Sequence, residues 1–213
     1  MNTHPAKIVC VGRNYAEHAK ELGNAVPERP ILFMKPSSSV VSLQQGIEWN
    51  QALGECHFEC EICLQIAQPL SQETDPTKVL EAVGAITLGL DLTLRDLQSD
   101  LKAKGHPWER AKAFDGACVL ADWVAVENID VFKEMELIFS INGVERQHGF
   151  TKDMLFGFAA LLIDINQAFS LQAGDVIMTG TPSGVGALQA GDQLNMQLIT
   201  SAGTYDWNTF VKA

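Results

Sequence analysis

Basic residues are scarce in this sequence: 15 Lys and Arg stand against 26 Asp and Glu, a formal net charge of -11 over 213 residues. That balance excludes nucleic acid as a natural partner, because neutralising phosphates takes clustered Lys and Arg. Long apolar runs are missing as well. No stretch of about 18 consecutive apolar residues occurs, so no membrane-spanning helix is expected. The opening Met1-Asn2-Thr3-His4-Pro5 has no basic stretch leading into an apolar one, and the expected location is the cytosol. Cysteine is sparse and odd in number (Cys10, Cys56, Cys60, Cys63, Cys118), which argues against a full disulfide framework. Cys56, Cys60 and Cys63 fall close together, but on a strand Cys60 and Cys63 point to opposite faces and would not easily share a zinc ion. Repeats, low-complexity tracts and the Gly-Lys-Ser/Thr ending of a phosphate-binding P-loop are absent.

What remains is the composition of a globular chain, 46% hydrophobic and 19% charged, long enough for one domain over 1–213 with a sizeable core. Short apolar segments predict strands at 7–12, 31–35, 57–67, 85–92, 119–126, 136–141 and 176–179. Helical spacing predicts helices after Asn14 (a candidate cap), after Asp75-Pro76, over Arg95–Lys104 up to Gly105, and over Met154–Phe169. Asn142-Gly143 is the strongest hairpin signal. Strands outnumber helices and do not alternate with them, which predicts a mixed α+β fold rich in antiparallel sheet.

Several constellations carry chemistry. On a strand, Glu59 and Glu61 project from one face, and paired carboxylates among apolar neighbours are costly unless a cation lies between them. The same pattern also describes two solvated glutamates on an exposed edge. Asp91 ends the most apolar strand and reads either as a catalytic acid or as the cap of the helix that follows. Arg95 and Gln98 share a helix face, and Lys112 falls in a loop-like segment after Pro107; together they offer the donors an anionic substrate needs. His18 and Glu21 are also three apart, so the carboxylate can orient the imidazole. In Thr179-Gly180-Thr181-Pro182-Ser183-Gly184-Val185-Gly186, glycines let backbone N–H groups approach a ligand, or simply make a turn.

Taken in order, these segments resemble one family. The run is Gly12-Arg13-Asn14-Tyr15 with His18 and Glu21, then Phe33-Met34-Lys35-Pro36-Ser37, then Glu59-Cys60-Glu61. It continues through Asp91-Leu92-Thr93-Leu94-Arg95-Asp96-Leu97-Gln98, Ala111-Lys112-Ala113-Phe114 and Ile141-Asn142-Gly143 to the glycine-rich segment and Gly191-Asp192. The whole is similar to the fumarylacetoacetate hydrolase family, in its small acylpyruvate hydrolase and oxaloacetate decarboxylase branch.

The resemblance implies a mixed β-roll of the family's C-terminal-domain type with a few peripheral helices, in a homodimer. It implies that Glu59, Glu61 and Asp91 hold Mg²⁺ or Mn²⁺ and that a small 2-oxo acid is the substrate. Arg13, Arg95, Gln98, Gly180 and Thr181 would contact that substrate, Lys112 would be the catalytic lysine, and His18 with Glu21 would activate water. The first expectation is hydrolytic C–C cleavage of an acylpyruvate to pyruvate and an acid. The alternative is decarboxylation, or a related isomerisation, of oxaloacetate. A third reading is a non-catalytic metal-binding paralogue.

Overall fold

The computed structural model describes residues 5–23 and 25–212. Residues 1–4, read above for a targeting signal, and Asn24 lie outside them. The strands in chain order begin with β1 (Lys7–Gly12), β2 (Ile31–Pro36), β3 (Val40–Ser42), β4 (Cys56–Phe58) and β5 (Cys60–Ile66). They continue with β6 (Val83–Asp91), β7 (Thr93–Leu94), β8 (Cys118–Leu120), β9 (Val124–Ala125) and β10 (Met135–Ile141). Then come β11 (Val144–Phe150), β12 (Val176–Met178), β13 (Gly186–Ala187), β14 (Gln193–Thr200) and β15 (Gly203–Phe210). Among the described residues five α-helices accompany them: α1 (Ala16–Glu21), α2 (Pro76–Glu81), α3 (Arg95–Ala103), α4 (Glu109–Lys112) and α5 (Phe158–Ala168). The fold is mixed α+β.

The largest sheet runs β2-β1-β12-β5-β6-β8-β3, with β9 on β6. Its central strands β5 and β6 are covered on both faces, so they read as continuous apolar runs and not as alternation. The second sheet, β11-β10-β14-β15, behaves differently. Along β10, Met135, Leu137, Phe139 and Ile141 are buried and the residues between them half-buried, the period-2 pattern of a sheet with one covered face. Asn142 and Gly143, at φ 53° and 76°, make the tight hairpin between β10 and β11. A small third sheet, β13-β4-β7, meets the largest one at a junction where β4 runs through Glu59 into β5.

That junction corrects the continuous strand predicted over 57–67. The chain pairs with β7 and β13 up to Phe58, then with β6 and β12 from Cys60 onward. Glu59 is the hinge between the two pairings, and its carbonyl still accepts the Asp91 N–H at 2.9 Å. Other expectations also shift. Asn14 is no cap: it is buried, donates to the Phe156 and Thr179 carbonyls and accepts the Phe156 N–H, which ties α1 to two distant segments. The segment around Lys112 is not a loop but the four-residue α4, too short to leave a helical period in the sequence. The last helix starts at Phe158 and not Met154, because a 3₁₀ turn at Thr151–Asp153 and the extended Gly157 precede it. Asp75 does cap α2, accepting from Thr77 and Lys78 with Pro76 at the first helical position.

Candidate functional site

β5 and β6 are antiparallel neighbours, with Cys60 opposite Leu90 and Glu61 opposite Gly89. The start of β5 therefore meets the end of β6, and Glu59, Glu61 and Asp91 come together there. Their nearest carboxylate oxygens all lie within 4.8 Å of one another. All three are buried, Glu61 and Asp91 to 1% exposure. The exposed-edge reading of the two glutamates is thereby corrected. So is the cap reading of Asp91, because α3 begins at a Leu94 cap that has no side-chain bond.

Three buried carboxylates at such spacing repel by roughly 3 kcal/mol per pair at an effective dielectric near 20, and cations offset this unevenly. The Arg95 guanidinium bonds Glu59, and Lys112 Nζ donates to Glu59 at 2.9 Å, to Asp91 at 2.7 Å and to the Thr93 hydroxyl at 2.6 Å. Lys35, fully buried, lies 2.8 Å from the other Asp91 oxygen and donates to the Lys112 carbonyl. Among the described residues Glu61 makes no ion pair, and its oxygen accepts the Gly180 N–H at 2.8 Å.

The acidities follow. Burial pushes Glu59 up, but Lys112, Arg95 and His18 outweigh it and hold the carboxyl well below the usual range. Burial, then the charges of Asp91 and Glu59, push Glu61 well above it. Burial alone would lower Lys112, yet Asp91 and Glu59 raise it, so it carries its charge. The Asp91 oxygen beside Lys35 has no aligned donor, and the buried Arg95 Nε also has no partner. Converging oxygen donors, one uncompensated acid and an orphaned acceptor are the donor set of a hard divalent cation, so the residues fit such a group.

The remaining expected site residues surround this point. His18, Arg13, Arg95, Gln98, Lys112 and Thr181 all line one narrow cleft with Glu59 and Glu61. α1 closes over it: His18 is buried, with Nδ1 3.3 Å from Glu21, and Glu21 accepts the Gly184 N–H at 3.0 and 3.2 Å. Arg95 Nη1 donates to Gln98 at 2.9 Å, as their spacing on one helix face predicts. The glycine-rich segment is neither a plain turn nor an open ligand cradle, since its N–H groups from Gly180 and Gly184 hold the protein's own Glu61 and Glu21. Gly180 sits at φ +100°, and a Cβ there would come within 2.6 Å of Asn14 Cβ, so no other residue fits.

Gln147 carries no local signal that sequence reasoning could have used. This fully buried side chain on β11 accepts the Cys60 N–H at 2.9 Å, between the two glutamates, and donates to Thr181 Oγ1 and the Pro182 carbonyl at 2.8 Å. Thr181 in turn donates to the Cys60 carbonyl at 2.8 Å, so one side chain from the second sheet locks the acidic strand to the glycine-rich segment. Lys35 was visible as the one charge in an otherwise apolar strand, and that was a usable signal. All five cysteines are free and buried, and burial raises their thiols, Cys56 and Cys118 to about 12, which keeps them protonated.

No helix among the described residues is long and apolar enough to cross a membrane. The chain is 44% identical, over 90% of its length and 87% of the relative's, to the oxaloacetate tautomerase YcgM of Escherichia coli. A crystal structure of a candidate fumarylacetoacetate isomerase/hydrolase from Oleispira antarctica superposes with a TM-score of 0.94 at 46% identity, covering 99% of this chain and 95% of that one. The fumarylpyruvate hydrolase of Pseudomonas aeruginosa, solved with Mn²⁺ and pyruvate, superposes with a TM-score of 0.88 at 28% identity, covering 98% and 90%. The pattern of the fumarylacetoacetate hydrolase C-terminal region matches residues 7–206, and the chain belongs to the fumarylacetoacetate hydrolase family.

Proposed function

We propose that this enzyme interconverts the enol and keto forms of oxaloacetate, or of a closely related 2-oxo dicarboxylic acid, with Mg²⁺ or Mn²⁺ held by Glu59, Glu61 and Asp91. The observation that carries the reading is the buried acid triad with the Lys112 ammonium between two of its members. Identity to an oxaloacetate tautomerase over most of the chain supports the substrate. A bound cation would polarise the 2-oxo group and anchor its neighbouring carboxylate.

The chain's own residues supply the rest. Arg95, oriented by Gln98 and Glu59, offers its orphaned Nε to a substrate oxygen. Lys112 places a fixed positive charge where the enolate oxygen gains negative charge, stabilising the transition state more than the ketone. His18, pushed below its ordinary value by burial against the opposing pull of Glu59 and Glu21, is neutral at pH 7. It can take a C3 proton from the keto form and pass it to the 2-oxygen, and in the other direction take the enol proton and deliver it to C3, with Glu21 holding the ring. α1 closes the cleft against water while this happens.

Acylpyruvate cleavage, the first expectation from the sequence, would use the same charges to stabilise a different enolate, that of pyruvate. Its support here is the fumarylpyruvate hydrolase likeness at 28% identity, weaker than that for oxaloacetate chemistry, while decarboxylation of oxaloacetate reaches that enolate by losing carbon dioxide. One experiment separates the three. Purified protein with Mg²⁺ is followed on enol-oxaloacetate by absorbance, with pyruvate release and acylpyruvate cleavage followed in parallel by NMR. The reading predicts ketonisation far faster than Mg²⁺ alone produces, abolished by chelator. Ketonisation no faster than the metal control would sink it.

A further inference from the structure

The narrow cleft opens outward into a groove of about 680 Å³ lined by Arg13, Ser99, Lys102, His106 and Trp108. Arg13, Lys102 and Trp108 line both spaces. The charges here are arranged unlike those below. Arg95 and Lys112 are paired with Glu59 and Asp91, whereas Arg13 and Lys102 have no such ion pair among the described residues. The Lys102 ammonium instead rests 5.4 Å above the Trp108 ring, a cation–π contact that fixes its position without neutralising it. Partial burial and the nearby Arg13 and Arg95 push Lys102 below its ordinary value, with Glu59 alone pulling the other way. Arg13 holds a left-handed backbone at φ 60°, a conformation that costs energy in a non-glycine residue.

Two unneutralised cations, one on a strained backbone, line the way into the cleft of a chain whose net charge is -11. Such mutual repulsion is relieved by an anion from outside. The helix geometry says where that anion lies. Arg95, Gln98 and Lys102 occupy positions i, i+3 and i+7 of α3, which is one face. Side chains on a helix lean toward its N-terminus, so Lys102 leans back toward Arg95 and the metal centre.

We propose that Lys102, with Arg13, binds a second, distal carboxylate of the substrate, and that this pair makes the enzyme select 2-oxo dicarboxylates over 2-oxo monocarboxylates. The inference rests on the function proposed above and names the residue that sets its substrate class. The proximal carboxylate and ketone lie at Glu59, Glu61, Asp91 and Arg95; the far carboxylate lies at the mouth, against Lys102 and the Trp108 face.

The test compares binding of two ligands to the Mg²⁺-loaded full chain by calorimetry. Oxaloacetate carries a second carboxylate where 2-oxobutyrate carries a methyl group. Lys102→Met should weaken oxaloacetate roughly tenfold or more, the loss of one charge-assisted contact, and change 2-oxobutyrate less than twofold. Lys102→Arg should restore most of the oxaloacetate affinity, and kcat should change far less than KM. Equal weakening of both ligands, or no weakening of either, overturns the inference, as does a wild type that binds the two equally. Because binding is read apart from turnover, a wild type that binds oxaloacetate tightly without ketonising it removes the proposed reaction and leaves the Lys102 result to stand or fall alone.

Discussion

The floor of the cleft and its mouth are both built from charged side chains, but the floor is a closed network and the mouth is open. At the floor, Glu59 answers to Arg95 and Lys112, Asp91 to Lys35 and Lys112, and of these partners the two lysines are buried and Arg95 half-buried. At the mouth, Arg13 and Lys102 face a groove. The difference teaches what each part is for. A buried network satisfied from within fixes geometry and is costly to break, while cations left unneutralised at an entrance are available to something that arrives. Glu61 is the exception at the floor: buried, pressed by two like charges and paired only with a backbone N–H. It marks the one place there where positive charge must come from outside.

Three substitutions sharpen that contrast. The largest effect is expected at the segment joining floor to mouth. The His18 base is neutral above its folded pKa, which burial sets below 6.5. kcat/KM should therefore be flat near pH 7 and fall only as pH drops through a value below 6.5. His18→Gln should lower the rate by about 10³-fold and remove that acid limb. A limb centred above 6.5, or one surviving the substitution, would take the base role away from His18.

Lys112→Met comes next. Removing the charge at the enolate oxygen should lower kcat by about 10²-fold. Glu59 and Asp91 would lose the ammonium between them, so calorimetry should find Mg²⁺ affinity unchanged or higher. A variant that loses the cation and the activity together would make Lys112 a structural part of the metal site.

How much of this was readable in advance depends on sequence distance. Asp91 at the end of an apolar run, Glu59 and Glu61 two apart, and Arg95 with Gln98 one turn apart are local patterns, and the structure does bring the three acids together and bond Arg95 to Gln98. The Asn142-Gly143 hairpin and the Asp75 cap were legible for the same reason. The break at Glu59 was not, because a change of pairing partner depends on β7, β13 and β6, whose sequences carry no mark of it. Nor was Gln147, whose contacts are 34 to 87 positions away along the chain. Asn14 looked like an ordinary cap residue because burial is a property of what packs over it.

Gln147 supplies the smallest of the expected effects. Gln147→Met leaves the Cys60 N–H without its acceptor and the Pro182 carbonyl without its donor in the core, at a cost of about 1–3 kcal/mol. Denaturant unfolding should show that loss, and the cation should bind more weakly as Glu59 and Glu61 loosen. Unchanged stability together with unchanged cation affinity would mean that the lock between the second sheet and the acidic strand is not needed.

The most direct test of the account is a calorimetric titration of Mn²⁺ into the wild-type chain and into Glu61→Gln. The amide keeps an oxygen for the Gly180 N–H and removes the one acid of the three that has no ion pair among the described residues. The account predicts one cation per wild-type chain, with thermal stability raised by its binding. In the variant it predicts binding weakened by about 10²-fold or more, while the metal-free protein is at least as stable as wild type because a buried like-charge repulsion is gone. A variant that binds Mn²⁺ as tightly as wild type would contradict the central claim that Glu59, Glu61 and Asp91 form the metal centre.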